Sequence, residues 1–450
     1  WRSRMLDKAH STPLPRRREP RAAHCMARKD AMAVVDKATL LEWIERDRDL
    51  IVGFLRDFVR APSPNPPGDT RAAAGVITRF LDRHELPWRT VAPVAEWPNI
   101  VGSFDTGRPG RHLVLNGHID VFPVDETEAW THGPWSGALA DGRIWGRGVA
   151  DMKAGTAASV MTYRYLHEAR SALAGRLTLT CVSDEETFGP YGARWLVANE
   201  PEVLGDCVLN GEPSSPYTIR FGEKGILRLA ITVRTPGCHG AYTHKSPSAT
   251  RIAARLVAAL EAVTALPAAM EPEVARALAE GEAEMDRIHL PGAARVMRQF
   301  SLNLGVVRGG TKVNMLPGEC RLEFDIRIPP GERSATVMTE IERILAGFPE
   351  ATLEVTGLAE PTWSSPNHPM VRALAEACAV TCGFRPRAIA SLAATDARKW
   401  RAKGVPAFTY GTTATNVAMP YEHTDIAEWL GVVKTLTLAA HAWLHAEAGR

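Results

Sequence analysis

The stretch Leu113-Val114-Leu115-Asn116-Gly117-His118-Ile119-Asp120, resumed at Gly146-Arg147-Gly148-Val149-Ala150-Asp151-Met152-Lys153, decides how this chain is read. Leu113–Leu115 is short, apolar and partly β-branched, and it breaks at the turn pair Asn116-Gly117. That is the pattern of a buried parallel strand. His118 and Asp120 then fall where the strand gives way to a loop, and open α/β sheets gather their ligands at the carboxyl ends of strands. A His-x-Asp pair suits metal binding. The imidazole offers a neutral nitrogen while a nearby carboxylate takes its other N–H and fixes the tautomer. Taken alone, the pair also reads as a histidine satisfied in a turn.

The same grammar recurs three more times. Leu177–Val182 alternates like a strand and ends at Asp184-Glu185-Glu186. Consecutive carboxylates repel one another, so such a run is either a solvated acidic turn or the bed of a cation. Val208-Leu209 breaks into Asn210-Gly211-Glu212-Pro213, and Val405–Phe408 reads as a strand whose following loop carries His423. These four apolar runs deliver His, Asp, Glu, Glu and His side chains toward one sheet edge.

Composition narrows the function classes. The chain has 450 residues, 45% hydrophobic and 23% charged, with a net charge of +2. This is long enough for more than one core and has no charge bias toward nucleic acid or an anionic membrane. The longest apolar stretches meet a charge before the length of a membrane span, so no transmembrane helix is expected. Seven cysteines are scattered without a Cys-x-x-Cys, which fits reduced core residues and a cytoplasmic protein. Residues 1–31 contain Arg16-Arg17-Arg18 and three prolines with no helical or strand period, so disorder is expected there. A chain opening on Trp1 is not expected to be a native start, and Met26 or Met32 is the expected initiator.

From about Lys37, Leu40 through Phe58 recur at helical spacing. A further helix is expected over Ala72–His84 and another from Ala154 to about Glu168. Between Phe221 and Glu360 the texture changes to strand-helix-strand-helix, with a charged helical insertion between Pro267 and Phe300. The expected fold class is α/β. A catalytic domain, residues 32–220 and 361–450, has a mostly parallel mixed sheet flanked by helices, and an α+β lid domain, residues 221–360, is inserted into it.

These motifs, in order and at this spacing, resemble the acetylornithine deacetylase, succinyl-diaminopimelate desuccinylase, carboxypeptidase G and aminoacylase family of two-zinc metallopeptidases. The resemblance covers nearly the whole chain from residue 37. It implies two divalent ions, zinc first, with cobalt or manganese tolerated by a mixed His and carboxylate set. Asp151 would bridge them, with His118 and Glu212 completing one site and Glu186 and His423 the other. Asp120 would orient His118, and Glu185 would be the general base acting on a water shared by the ions. A cis peptide after the bridging Asp, at Asp151-Met152, is also implied. In the lid, Pro236-Gly237-Cys238-His239 resembles the motif whose His meets the oxyanion, with His244 as competitor. Asn314 and Arg327 match the pair that grips a substrate carboxylate, a task suited to the planar guanidinium fork. The lid of this family commonly mediates homodimerisation.

Two departures stand out. The substrate loop keeps Thr395-Asp396 but replaces the family's glycines by Ser391-Leu392-Ala393-Ala394, which restricts backbone approach. The last motif reads His423-Thr424-Asp425-Ile426-Ala427-Glu428 rather than His-x-x-Asn/Asp-Glu. Trp130, Trp135 and Trp145 read as core packing or as substrate wall. The expected activity is hydrolysis of an amide in an N-acyl amino acid or short peptide, a small molecule bearing a free carboxylate. Hydrolytic removal of an amine from a non-peptide substrate is the alternative, followed by a catalytically inactive binding protein.

Overall fold

In the computed structural model, which describes residues 35–125, 127 and 129–445, the Leu113–Leu115 run is the middle of a strand, His112–His118. The basic segment 1–31 lies outside the described residues. His112–His118 pairs in parallel with Arg176–Val182 on one side and Cys207–Asn210 on the other. Ala407–Thr409 lies parallel to Cys207–Asn210 in turn. The large sheet runs Trp88–Val91, Asn99–Asp105, Arg176–Val182, His112–His118, Cys207–Asn210, Ala407–Thr409, Thr218–Glu223 and Thr362–Trp363, with Arg387–Ser391 parallel to Thr218–Glu223. Its central strands are buried on both faces, the reason they read as continuous apolar runs.

Helices supply that cover. Ala154–Glu168 matches its expected span, and its small residues allow close approach: a Cβ on Gly155 would lie 1.8 Å from the Gly211 carbonyl oxygen. The single helix expected over Leu40–Phe58 is two, Lys37–Arg46 and Arg48–Val59, broken at Asp47. Apolar spacing stays in phase across the break because Leu40, Ile44, Ile51 and Phe58 all enter one core.

The lid sheet is antiparallel, in the order Ser301–Gly309, Glu319–Ile328, Gly225–Arg234, Ala351–Ala359. Glu319–Ile328 alternates strictly, burying Cys320, Leu322, Phe324, Ile326 and Ile328 against Ala249–Leu260 and Ser334–Leu345. Lys224 alone separates the large-sheet strand Thr218–Glu223 from the lid strand Gly225–Arg234.

Packing within 221–360 divides in a way the sequence did not reveal. The insertion folds as helices Pro272–Glu280, Glu282–His289 and Ala293–Met297. Its Val274, Leu278, Met285, Ala294 and Met297 belong to the core of the large sheet rather than to the lid core. The expected boundary therefore cuts through a core. Helical periodicity identifies an apolar face but not which of two cores takes it.

Candidate active site

A ladder of buried amides fixes the carboxyl ends of the central strands. Asn210 Nδ2 donates to Asn116 Oδ1 (2.8 Å), and Asn116 Nδ2 donates to Thr180 Oγ1 (3.2 Å). Asn210 Oδ1 accepts from the Glu212 N–H (3.1 Å), so the ladder also sets the direction of the loop carrying Glu212. At Gly117, any Cβ would lie 2.4 Å from Thr156 Oγ1, whose hydroxyl donates to the His118 carbonyl at 2.6 Å.

His118, Asp151 and Glu212 meet at this edge. His118 Nε2 lies 3.2 Å from Asp151 Oδ1 and 3.6 Å from Glu212 Oε1. One ligand atom from each of the three falls within 4.8 Å of the others. His118 Nδ1 is 2.8 Å from the Asp120 carbonyl oxygen and 3.5 Å from Asp120 Oδ1, so Asp120 orients the ring chiefly through its backbone. The Asp120 carboxylate is held elsewhere: Oδ2 accepts from Asn65 Nδ2 (2.9 Å) and from the Glu186 N–H (3.0 Å). The Asp151-Met152 peptide is cis, as the resemblance implied.

Glu185 and Glu186 follow Asp184, whose φ of 67° turns the chain. Asp184 is structural. Its oxygens accept from Asn65 Nδ2, Thr187 Oγ1 and the Tyr191 N–H, stitching the loop together. Glu186 Oε1 is buried with no hydrogen-bond partner among the described residues. Burial, then the Asp151 charge, pushes the Glu186 pKa well above the carboxylate range. Burial, then Asp396, does the same to Glu185, and burial, then Asp151, raises Glu212 to about 8. Burial alone would depress His118, but Glu212, Asp151 and Asp120 outweigh it and hold its pKa well above normal. Carboxylates packed like this repel one another unless protons or cations intervene. The donor set, one imidazole and several carboxylates with an unpartnered buried oxygen, fits divalent ions.

His423 lies in the strand His423–Asp425, paired opposite Trp145, and its Nδ1 is 2.8 Å from the Tyr421 carbonyl oxygen. It is not within the tight His118–Asp151–Glu212 group. The preceding residue ties it there. Buried Glu422 accepts from the Ala150 N–H (2.9 Å), the Asp151 N–H (3.3 Å) and Arg147 Nη1 (2.9 Å). Sequence reading missed Glu422, although its place beside His423 was a signal. Asn65, which donates to Asp120 and Asp184, was missed too.

A cavity of about 530 Å³ opens beside the cluster, lined by Asp151, Glu185, Glu186, Glu212, Arg220, His289, Arg327, the Ser391–Thr395 loop and apolar Phe122, Phe188 and Val417. Arg327 thus reaches the pocket, where its Nε also donates to Asp325 Oδ1 at 2.6 Å. Thr395 lines the wall, but its N–H donates to Glu223 Oε2 (2.6 Å) and its hydroxyl to Glu223 Oε1 (3.4 Å). Glu223 is paired in turn with Arg401, so this buried ion pair anchors the loop that lacks glycines. Asp396 is buried, and burial raises its pKa to about 6. It acts on Glu185 as a like charge and is not among the residues lining the cavity. His239 and Asn314 are exposed and do not line it either. They share one hairpin-like pairing, His239 opposite Met315, with the Gly240 N–H donating to the Asn314 carbonyl at 2.7 Å. Of the tryptophans, Trp145 lies against the His423 ring in a tilted contact with centroids 4.3 Å apart, whereas Trp135 faces the buried Lys153 ammonium and Trp130 faces Arg147.

Residues 114–442 match the peptidase family M20/M25/M40, a span that contains every strand end of this site. The chain belongs to that family. It is an enzyme, a metal-dependent hydrolase of C–N amide bonds. A succinyl-diaminopimelate desuccinylase of Gluconacetobacter diazotrophicus is 30% identical over 393 residues, covering 84% of this chain and 92% of that one. The fold is that of an M20 metallo-carboxypeptidase, Sso-CP2 of Sulfolobus solfataricus, with a TM-score of 0.71 at 17% identity over 86% of this chain and 99% of that one. The Bacillus subtilis YXEP protein, a dinuclear metal-binding peptidase of the family, aligns with a TM-score of 0.59 at 15% identity over 89% and 99% of the two chains. The M20 fold, a helix-flanked sheet domain with a lid, agrees with the architecture expected from the sequence.

Proposed function

We propose that this M20 enzyme hydrolyses the amide of an N-acyl amino acid or short peptide carrying a free carboxylate. The observation that carries this reading is the meeting of His118, Asp151 and Glu212 beside Glu185, in a pocket that also holds the Arg327 guanidinium. His118, Asp151 and Glu212 would hold one divalent ion, and Asp151, Glu186 and His423 a second, with zinc the expected metal and cobalt or manganese accepted by the same donors. Such ions supply Lewis acidity toward an amide carbonyl and acidify a water.

The chain's own groups do the rest. Glu185 is adjacent to a ligand, faces the pocket and has a raised pKa, so it takes a proton from the attacking water and returns it to the leaving amine nitrogen. Arg327 orients the substrate carboxylate. Exposed His239 and Asn314 suit a role in the pocket of a second copy, which makes the enzyme a homodimer through its lid, with His239 meeting the oxyanion. Among the described residues no helix is long and apolar enough to cross a membrane, and a cytoplasmic location is part of this proposal.

A second reading, removal of an amine from a non-peptide substrate, is favoured by the Leu392, Ala393 and Ala394 side chains that face the pocket in place of glycines. Metal-loaded protein assayed against N-acetyl, N-succinyl, N-formyl and dipeptide substrates, beside their carboxamide counterparts, separates the two. Hydrolysis confined to the acids supports the first reading, and equal rates on acids and amides favour the second.

A further inference from the structure

The pocket wall carries a positive charge that no carboxylate pairs with among the described residues. Arg220, on the strand Thr218–Glu223, is 7% exposed. Among the described residues, its guanidinium makes one hydrogen bond, from Nη1 to Ser391 Oγ at 3.3 Å, and its Nε has no partner. Other guanidinium groups of this region have carboxylates: Arg327 has Asp325, Arg401 has Glu223 and Arg147 has Glu422. Among the described residues none lies within ion-pairing distance of Arg220. A buried cation without a counter-ion is costly, and folds retain one where something else supplies the anion. Burial outweighs the attraction of Glu212, Glu223 and Asp151 and lowers the Arg220 pKa.

A second group points to the same place from another element. His289 ends the insertion helix Glu282–His289 and lines the cavity, with no hydrogen-bond partner among the described residues. Burial, then the Arg220 charge, lowers its pKa, so at neutral pH it is an uncharged imidazole able to donate or accept. Met285, on the His289 helix, and Ile219 and Phe221, on either side of Arg220, belong to one core, which suits a preformed subsite.

We propose that Arg220, flanked by Ser391 and His289, is an anion subsite for a second substrate carboxylate, distinct from the one gripped by Arg327. The inference rests on the amide-hydrolase reading of this pocket and deepens it: preferred substrates carry two anionic groups. The second carboxylate has two chemical sources, a dicarboxylic acyl group or an acidic side chain on the amino acid.

Paired substrates distinguish them. N-Succinyl-L-leucine against N-butyryl-L-leucine tests the acyl source, and N-acetyl-L-glutamate against N-acetyl-L-glutamine tests the side chain. The wild type should prefer the charged member of one pair by roughly 10- to 100-fold in kcat/KM, the worth of a charge-assisted bond. Arg220→Met should collapse that ratio toward one, and Arg220→Lys should restore part of it. Equal treatment of both pairs by the wild type, or equal losses on both members in Arg220→Met, overturns the proposal.

Calorimetric binding of free succinate and butyrate to zinc-loaded protein keeps the test independent of turnover. Succinate should bind more tightly than butyrate, and Arg220→Met should erase the difference while its melting temperature holds or rises. A lowered melting temperature with the succinate preference intact makes Arg220 structural and overturns the proposal. If no amide is hydrolysed yet the succinate preference depends on Arg220, the subsite stands and the amide-hydrolase reading falls.

Discussion

The lid sheet and the carboxyl edge of the large sheet treat charge in opposite ways. On the lid, charges are answered on the strand surface: Arg327 by Asp325, Arg321 by Glu323, Arg234 by Glu319 and Arg228 by Asp325. These groups are partly or largely exposed, where ion pairs contribute little to stability and water answers whatever is left over. At the large-sheet edge, Glu185, Glu186 and Glu212 crowd Asp151 and His118, several of them buried, and their pKa values are driven upward. One region spends its charges on itself, and the other holds them for something the chain does not contain. The difference locates function more sharply than cavity size: a larger cavity near Phe54 and Arg79 is lined by ordinary helix surface.

That contrast can be broken at its strongest point. Asp151→Ala removes the carboxylate that neighbours both ligand groups, so bound metal should fall to background and activity should be abolished. Retention of both ions by this variant would remove Asp151 from the centre. A smaller effect follows from protonation. Glu212 titrates in the fold near 8, above the ordinary 4.5. A raised carboxylate pKa means that the folded state binds more protons between those two values. Stability of chelated protein should therefore fall as pH rises from about 5 to 8, and added zinc should restore it most at the upper end. Thermal melts with and without chelator check this, and a metal-free melting temperature independent of pH would count against a crowded acidic centre.

Smaller again is the effect expected at the seam between the two regions. Arg327 is paired on the lid yet faces the pocket. Arg327→Ala should lower kcat/KM for N-acyl amino acids by about tenfold or more, and by less for the matching amides, which have no carboxylate to grip. Equal losses on both would return Arg327 to the lid surface, as a partner of Asp325 alone.

Much of this was legible in the sequence because candidate metal ligands at strand ends are marked by local grammar. An apolar run, a turn pair and a His, Asp or Glu recur at Leu113–Asp120, Leu177–Glu186 and Val208–Glu212, and each run folds as a parallel strand whose end meets the others. The lid strands were legible for the same local reason, as Glu319–Ile328 shows by strict alternation. What escaped depends on which distant elements meet. Arg220 is one residue of an ordinary strand until the fold withholds a carboxylate from it. Glu422 matters because it accepts from the backbone of Ala150 and Asp151, far away in sequence. The destination of the insertion's apolar face was hidden because two cores compete for it. Thr395 lines the pocket as its N–H and hydroxyl donate to Glu223, a tie across the fold that no local pattern announces.

The most direct test of the central claim, that Glu185 is the base of a divalent-ion centre and not one of its ligands, is elemental analysis of Glu185→Gln alongside its rate. The substitution removes the proton acceptor while keeping the size and polarity of the side chain. Metal content should equal that of the wild type, with kcat lowered by about 10²- to 10⁴-fold. Loss of metal together with activity would make Glu185 a ligand, and retained activity would place the base elsewhere.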